Sequence, residues 1–269
     1  MNPFQLAWNY LRIGMMNELQ YRVNFFIQLL QTSVALGTGL IGLSLVFGQV
    51  DNLAGWTRPE LLAVMGVHIL MGGVIRSAIQ PNMERLMNDV LNGTLDFALT
   101  KPADAQALVS VREFRFWQLT DVLVGLVVLG VAVSQLQACP EPCRRAGIEA
   151  LQVVAFIAAL IMGAIMLYCV WLMVTSIAFW VIRVEQIVNL FEGLYAAGRW
   201  PVGVYPDWLR TGLTFLVPVA FAVTVPAEAM TNRLTSETML FALGLTLLFV
   251  ILARGVWSLG LRSYSGASA

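Results

Sequence analysis

The stretch that decides the fold is QPNMERLMNDVLNGTLDFALTKPADAQALVSVREFRFW, residues 80–117. It is the longest part of the chain in which charged and polar side chains recur often enough for water to solvate it. The sequence on either side consists mainly of long apolar runs. A chain of this kind keeps one long polar segment outside a hydrophobic phase, and such a segment is a candidate contact surface for another molecule.

The composition is typical of a membrane protein with several spans. Of the 269 residues, 58% are hydrophobic and 12% are charged, and the mean hydropathy is +0.75. Soluble domains carry about 25% charged residues. The formal net charge is zero and Lys101 is the single lysine, so no basic patch for nucleic acid is expected. Membrane lipids are the expected surroundings.

Hydropathy predicts an all-α fold with six transmembrane helices in one domain, residues 1–269. The predicted spans are residues 23–47, 61–79, 119–136, 151–182, 186–200 and 239–257. Residues 3–21 have apolar side chains at helical spacing, which predicts an amphipathic helix on the membrane surface. The alternative is a soluble helix packed on a neighbouring domain. No short apolar core with a cleavage site precedes the first span, so a cleaved signal peptide is not expected.

The distribution of Lys and Arg predicts the orientation. With both termini in the cytoplasm, ten of the 16 basic side chains lie on the cytoplasmic side and six on the other. Residues 80–117 are then cytoplasmic, and Cys139 and Cys143 lie outside, where a disulfide persists. A disulfide between them and two free thiols stay open as alternatives. Cys169 lies in an apolar span and is interpreted as a packing residue.

Residues 201–230 are punctuated by prolines: Pro201, Pro206, Pro218 and Pro226. A regular helix facing lipid is not expected through this segment, because broken helices at membrane depth persist only when buried in protein or lining a wet cavity. A re-entrant pair of short helices is therefore predicted before the last span, on the extracellular side.

Residues 80–117 are predicted to form short helices rather than a flexible linker. Residues 81–91 carry apolar side chains at helical spacing. Asn92-Gly93 is typical of a helix end, and Thr94 is predicted to cap a second helix that ends at Lys101-Pro102. Residues 104–115 are predicted as a third helix leading into the next span.

The chain lacks the residues for its own ATPase site. A Walker A loop needs Gly-Lys followed by Ser or Thr, whereas Lys101 lies between Thr100 and Pro102. No cofactor or metal ion is expected to bind this chain, since His68 is the single histidine and paired carboxylates within one span are lacking. The chain is thus not expected to be an enzyme by itself.

Three ionisable residues lie within or near predicted spans. His68 is interpreted either as a proton-relay group or as a side chain satisfied by a neighbouring helix. Asp121 is predicted to form an interfacial ion pair, and Glu192 either forms a buried pair or lines a pathway. The candidate partners are Arg112 or Arg115 for Asp121, and Arg183 or Arg199 for Glu192.

Two groups of residues resemble a known family. Gly93-Thr94-Leu95-Asp96, followed by Leu99-Thr100-Lys101-Pro102, is similar to the cytoplasmic loop between the second and third spans of type-2 ABC exporter permeases. Trp200-Pro201, Tyr205-Pro206 with Trp208, and Pro218 resemble the extracellular re-entrant helices of that family. The predicted amphipathic helix at residues 3–21 is a third similarity. The whole chain is most similar to the small bacterial branch of that family.

The resemblance implies a permease subunit in the bacterial plasma membrane. Two permeases would pair, and two separate ATPase subunits, which bind ATP and Mg²⁺, would dock from the cytoplasm. The implied coupling residues are Gly93, Thr94, Leu95, Asp96, Phe97, Leu99, Lys101 and Pro102. Leu95, Phe97 and Leu99 would fill a groove of the ATPase, and Glu84, Arg85, Asp96 and Lys101 would make charged contacts with it. The alternative is that the apolar side chains only pin the loop against the span ends.

Two rival functions stay open. A secondary transporter driven by an ion gradient is the first, although inverted repeats and ionisable groups near the midplane are not evident. A membrane scaffold without transport is the second. The substrate is expected to be amphiphilic or hydrophobic, and the partner permease is either an identical copy or a homologue.

Overall fold

The computed structural model describes residues 12, 16, 22–102, 104–138, 150–180 and 185–264. These residues form helices and turns, with no β-strand among them. The predicted surface helix at residues 3–21, except Arg12 and Met16, and the loop with Cys139 and Cys143 lie outside the described residues. The helices, numbered here in chain order, are α1 (Arg22–Phe47), α2 (Arg58–Val74), α3 (Gln80–Leu91), α4 (Asp96–Leu99), α5 (Ala105–Val109), α6 (Leu119–Ala138), α7 (Ala150–Ser176), α8 (Glu185–Ala197), α9 (Asp207–Thr211), α10 (Val225–Met230) and α11 (Ser236–Ser263).

Five helical stretches are long and apolar enough to cross a membrane, which confirms the predicted all-α membrane fold. They are Val23–Phe47, Arg58–Leu91, Phe116–Ala138, Ala150–Phe179 and Ser236–Ser263. The second one has 34 residues, which is about 51 Å of helix against a hydrocarbon core of about 30 Å. Its end therefore projects beyond the bilayer.

The helix of the second span does not stop at residue 79, where hydropathy placed the boundary of that span. It continues through a π-helical turn, Ile75–Ile79, into α3. Pro81 has no N–H and so cannot bond to the carbonyl of Ser77 four residues earlier. The helix widens at this point instead of breaking, and the N–H of Arg115 donates to the Ser77 carbonyl at 2.9 Å. A single rod thus joins the membrane to the polar segment.

Glycines bring α2 and α6 into close contact. A Cβ on Gly125 would lie 2.5 Å from the backbone nitrogen of Leu70, and a Cβ on Gly73 would lie 2.8 Å from that of Val122. Small residues allow helix backbones to approach closely in lipid, where packing replaces the hydrophobic effect as the driving force. These two helices therefore form the rigid centre of the fold.

Two faces of the molecule can be told apart by contacts at the helix ends. On the loop face, which carries residues 92–118, Arg254 near the end of α11 pairs with Asp104. On the opposite face, which carries residues 48–57, Arg233 before α11 pairs with Glu60 at the start of α2. The aromatic ring of Phe179 at the end of α7 packs on Trp257 of α11. The chain must therefore return from the loop face to the opposite face between residues 180 and 233.

The stretch through α8 makes that return. Gln80 near the loop face donates to Glu192 at 2.8 Å, and Tyr195 donates to the carbonyl of His68 in the middle of α2 at 2.6 Å. Trp200 then lines a small cavity with Leu61. The helix of this stretch has 13 residues, too few to count among the five long apolar helices, so the predicted span at residues 186–200 stays a prediction.

Residues 201–230 enter from the opposite face and turn back. Two helical pieces, Asp207–Leu216 and Ala220–Met230, meet at 78°. Val217 at their junction lines a cavity with Gly72 and Trp171, well inside the helix layer, and the segment ends near Arg233 at the face where it began. Pro218 disfavours helical backbone at the preceding residue, and Val217 is extended at φ −123° and ψ 99°.

Candidate functional site

The tip of the polar segment is a tight turn built on α3. Gly93 has a φ of 69°, in the left-handed region that glycine enters without strain. The N–H groups of Thr94 and Leu95 both donate to the carbonyl of Asp89, and the Thr94 hydroxyl donates to the Asp89 carboxylate at 3.0 Å. Thr94 therefore fastens the turn to α3. It does not cap α4, which begins at Asp96, so the prediction that Thr94 caps the second short helix was wrong.

The three apolar side chains of the predicted coupling motif differ in exposure. Leu95 is fully buried in the core of this chain, as the pinning alternative stated, and cannot fill a partner's groove. Phe97 is 75% exposed and Leu99 is 38% exposed. Lys101 and Pro102 are exposed as well. The surface open to a partner is therefore narrower than predicted and centres on Phe97.

Three ion pairs clamp the returning chain, residues 111–115, against α3. They are Glu84–Arg115 at 2.7 Å, Arg85–Glu113 at 2.9 Å and Asp89–Arg112 at 2.7 Å. The Asn82 side chain adds two hydrogen bonds to the backbone of Glu113. We name these contacts the ion-pair clamp. Glu84 and Arg85 were predicted to contact an ATPase, whereas in the structure they form ion pairs within the chain.

The far side of the polar segment is fastened to two further helices. Both Arg254 Nη atoms of α11 donate to the Asp104 carboxylate, at 2.6 and 3.2 Å, and these bonds hold the pKa of Asp104 below its ordinary value. Ser110 lies 2.7 Å from the hydroxyl of Tyr168 on α7. With the ion-pair clamp, these contacts tie the tip to three spans.

A polar cavity of about 290 Å³ lies between the helices at membrane depth. Its polar lining consists of Gln28, Gln31, Thr32, His68, Arg76, Gln118, Asp121 and Arg199. Polar side chains within spans face protein or water-filled cavities rather than lipid. This cavity is therefore the second candidate site, and three of its members, His68, Asp121 and Arg199, were already candidates from the sequence.

Asp121 is the centre of a buried network in this cavity. Its carboxylate is 2% exposed and accepts hydrogen bonds from Thr32, from Gln28 at 3.0 Å and from Arg76 at 2.5 and 3.1 Å. The predicted partners, Arg112 and Arg115, belong to the ion-pair clamp. The prediction named the wrong arginines because the close packing of α2 on α6 brings Arg76 to Asp121.

His68 stacks on the ring of Tyr195, with centroids 4.6 Å apart and an interplanar angle of 16°. Its Nδ1 is buried without a hydrogen-bond partner in the described part of the chain. The ring therefore packs on a neighbouring helix, and both interpretations of His68, as a proton-relay group and as a satisfied side chain, stay open.

Glu192 accepts a hydrogen bond from Gln80 and lines a cavity of about 180 Å³ beside Arg76 and Trp171. Of its predicted partners, Arg183 lies outside the described residues, and no ion pair joins Glu192 to Arg199 within the described ranges. Arg199 instead faces the polar cavity. The pathway alternative and a buried pair with Arg183 therefore both stay open for Glu192.

One pattern in the sequence could have predicted the polar cavity. Gln28, Gln31 and Thr32 recur at helical spacing within an otherwise apolar span, so they share one face of α1. Such a polar stripe predicts contact with polar groups of other helices. Within the described ranges, no group of three or more His, Cys, Asp and Glu side chains could hold a metal ion.

Comparison with known proteins gives one family. The model of the family described as "ABC-2 family transporter protein" matches residues 33–268, which include the tip, the ion-pair clamp, the polar cavity and the re-entrant segment. No curated protein and no solved structure matches the chain.

Proposed function

The chain belongs to the ABC-2 family of transporter proteins, and from this we propose that it is the permease of an ATP-binding-cassette exporter whose ATPase docks on the loop face. The separate ATPase would bind ATP and Mg²⁺, and a second permease, identical or homologous, would complete the transmembrane unit. The loop face would be cytoplasmic, with both termini on that side of a bacterial plasma membrane. Export of an amphiphilic or hydrophobic substrate is the function that the site supports best.

The observation that carries the proposal is that the tip and the polar cavity share one helical rod. Arg58–Leu91 is a single stretch, with Met65, His68 and Arg76 lining the cavity and the Gly93 turn at its end. A force on the tip is transmitted along a rod instead of being absorbed by a flexible loop. ATP-driven closure of the ATPase would thus change the shape of the cavity.

The tip has the properties of a docking surface. Phe97 projects a large apolar ring into solvent from a backbone that is fixed on both sides, and aromatic anchors of this kind dominate the energy of many interfaces. Holding the tip rigid before binding reduces the entropy that docking would otherwise cost. The exposed Lys101 and the half-buried Asp96 flank the ring, where charges steer association and set its dependence on salt.

The test is co-purification of the ATPase with a Phe97→Ala permease. Trp208→Ala is the matched control, because Trp208 is also 75% exposed but lies on the re-entrant segment at the opposite face. We expect Phe97→Ala to weaken ATPase retention at least tenfold, since a central aromatic anchor contributes about 2 kcal/mol or more, and Trp208→Ala to leave retention unchanged.

Two results would contradict the proposal. Equal retention of the ATPase by both variants would show that the tip is not its docking surface. Transport by the purified permease in vesicles that contain no ATPase would favour an ion-gradient mechanism, and the proposed energy source would then be abandoned.

A further inference from the structure

Two adjoining cavities differ in the side chains that line them. The polar cavity of about 290 Å³ meets a smaller one of about 80 Å³, and both are lined by Gly39, Met65 and Arg199. The smaller cavity is mostly apolar, with Leu43 and Leu61 in its wall. A ligand that occupied both would need a polar end and an apolar end.

The charges of the polar cavity do not cancel. The Asp121 carboxylate is fully occupied by Arg76, Gln28 and Thr32, so this pair is neutral as a unit. The side chain of Arg199 has no hydrogen bond or ion pair with any residue that the structure describes, and this exposed residue lines both cavities. Because arginine stays protonated in proteins, the lining carries one uncompensated positive charge.

The position of Arg199 makes that charge costly. It lines both cavities together with Met65, which is seven residues and about 10 Å along the helix from Arg58 at the start of α2. Ionisable side chains at membrane depth are expensive and are typically paired or functional. An anion would compensate the charge, and a planar guanidinium matches the two oxygens of a carboxylate or phosphate.

The side chain of Arg199 sets the ligand chemistry of the polar cavity. His68 also lines the cavity, but its Nδ1 atom is buried, so Arg199 is the group that a polar head group would meet. A cationic ligand would be repelled by Arg199, and a purely apolar one would leave Arg199 unpaired.

We propose that the two cavities form one binding site for an amphiphile with an anionic head group, in which Arg199 holds the head group and the smaller cavity takes part of the apolar body. The inference rests on the proposed function in naming the class of molecule that the permease moves. The same chemistry is found in a transported organic acid and in an anionic membrane lipid.

The experiment measures binding to the full-length permease alone, in nanodiscs of phosphatidylcholine. The probe is 11-(dansylamino)undecanoic acid, whose fluorescence rises in an apolar site, and its uncharged methyl ester is the matched ligand. The variants are Arg199→Gln, Arg199→Lys and, as the control, Arg58→Gln, which removes an exposed charge near the opposite face but outside both cavities.

We expect the wild-type protein to bind the acid at least about tenfold more tightly than the ester, since charge-assisted hydrogen bonds are stronger than neutral ones. Arg199→Gln should abolish that preference, Arg199→Lys should restore part of it, and Arg58→Gln should keep it. Equal binding of acid and ester by the wild-type protein would overturn the inference without any variant. Equal preference in Arg199→Gln and Arg58→Gln would overturn the role of Arg199.

A second arm identifies the source of the anion. If phosphatidylglycerol in the nanodisc displaces the acid from the wild-type protein but not from Arg199→Gln, the site belongs to a membrane lipid. If the acid withstands phosphatidylglycerol and stimulates ATP hydrolysis by the complex, the site belongs to a transported molecule. Because the binding arm contains no ATPase, its failure would overturn the site while leaving the proposed energy source intact.

Discussion

Arg233 and Glu60 form a two-pronged ion pair that joins the end of the re-entrant segment to the start of α2. The Arg233 Nε and Nη2 atoms donate to the two oxygens of Glu60, both at 2.9 Å. The Glu60 carboxylate also accepts from the N–H of Thr57 at 2.8 Å, and Arg233 lies 4.6 Å from the centre of the Trp56 ring. This cluster holds the chain segments together at the opposite face, in the same way that the ion-pair clamp holds them at the loop face.

Replacing Arg233 with Gln should destabilise the protein strongly. Glu60 is 2% exposed, and removing one charged partner of a buried ion pair costs about 3–5 kcal/mol. The thermal unfolding midpoint in detergent would measure the loss. Arg210→Gln is the control, because Arg210 pairs with an almost fully exposed Asp207 at 3.4 Å. Equal midpoints for the two variants would contradict the prediction.

Gly125→Ala should destabilise the packing of α2 on α6. The added methyl group would meet backbone atoms of Leu70 at 2.5 and 2.7 Å, which cannot move aside as a side-chain tip can, so a cost of about 1–3 kcal/mol is expected. Gly130→Ala in the same helix meets nothing within 4 Å and should be neutral or stabilising. Detergent unfolding of the two variants compares them directly, and a stable Gly125→Ala protein would refute the close contact.

Within the ion-pair clamp, Arg112→Gln should have a larger effect than Arg85→Gln. The side chains of Arg112 and Asp89 are 8% and 16% exposed, whereas those of Arg85 and Glu113 are each 42% exposed. Exposed pairs contribute about 0–1 kcal/mol, and breaking a buried one costs several times more. Hydrogen exchange of residues 92–102 would report the loosening, which should be small in Arg85→Gln. Similar exchange in both variants would show that burial does not set the strength of the clamp.

The Asp104–Arg254 contact should weaken in acid. The hydrogen bonds from Arg254 lower the pKa of Asp104 in the folded protein from its ordinary value of 3.8. A carboxyl group with a lowered pKa in the folded protein stabilises the fold fully when the pH is above the ordinary pKa. This stabilisation is lost as the pH falls through the lowered pKa of the folded protein. Anchoring of α5 should therefore be constant from pH 7 to about pH 5 and decline below about pH 4.

The matched variant for this contact is Asp104→Asn. Asparagine still accepts the hydrogen bond from the N–H of Ala107 that caps α5, but it lacks the charge that Arg254 contacts. The protection of residues 105–109 against hydrogen exchange, relative to the intrinsic rate at each pH, should be as low in Asp104→Asn at pH 7 as in the wild-type protein in acid. An exchange rate in Asp104→Asn that equals the wild-type rate at pH 7 would mean that the cap, not the ion pair, holds the helix.

Several local features could be predicted because their causes lie within a few residues. The Asn92-Gly93 turn follows from the ease with which glycine adopts positive φ, and the kink at Val217 follows from the restriction that Pro218 places on it. The end of the helix that forms the second span could not be predicted from neighbouring residues. Pro81 usually signals a boundary, yet here a carbonyl that it leaves unpaired is satisfied by Arg115, a residue 34 positions further along the chain.

Charged partners were the least predictable part of the site. Asp121 was assigned to arginines near it in sequence, whereas its partner, Arg76, is 45 residues away. Helical periodicity shows which side chains share a face of one helix, but it contains no information on which helix that face meets. The same limit explains why Glu84 and Arg85 were expected to face a partner protein when they lie inside the ion-pair clamp.

The sequence by itself determined that this protein is an all-α membrane protein with a polar segment of short helices and without a Walker A motif. Those conclusions depend on hydropathy, on local turn chemistry and on the residues that a phosphate-binding loop requires. Only the tertiary structure decided that residues 80–117 are held rigidly, that Leu95 is buried while Phe97 is exposed, and that a polar cavity lies along the same rod. Packing of distant helices creates each of these features, because it alone determines which side chains meet and which remain open to a partner.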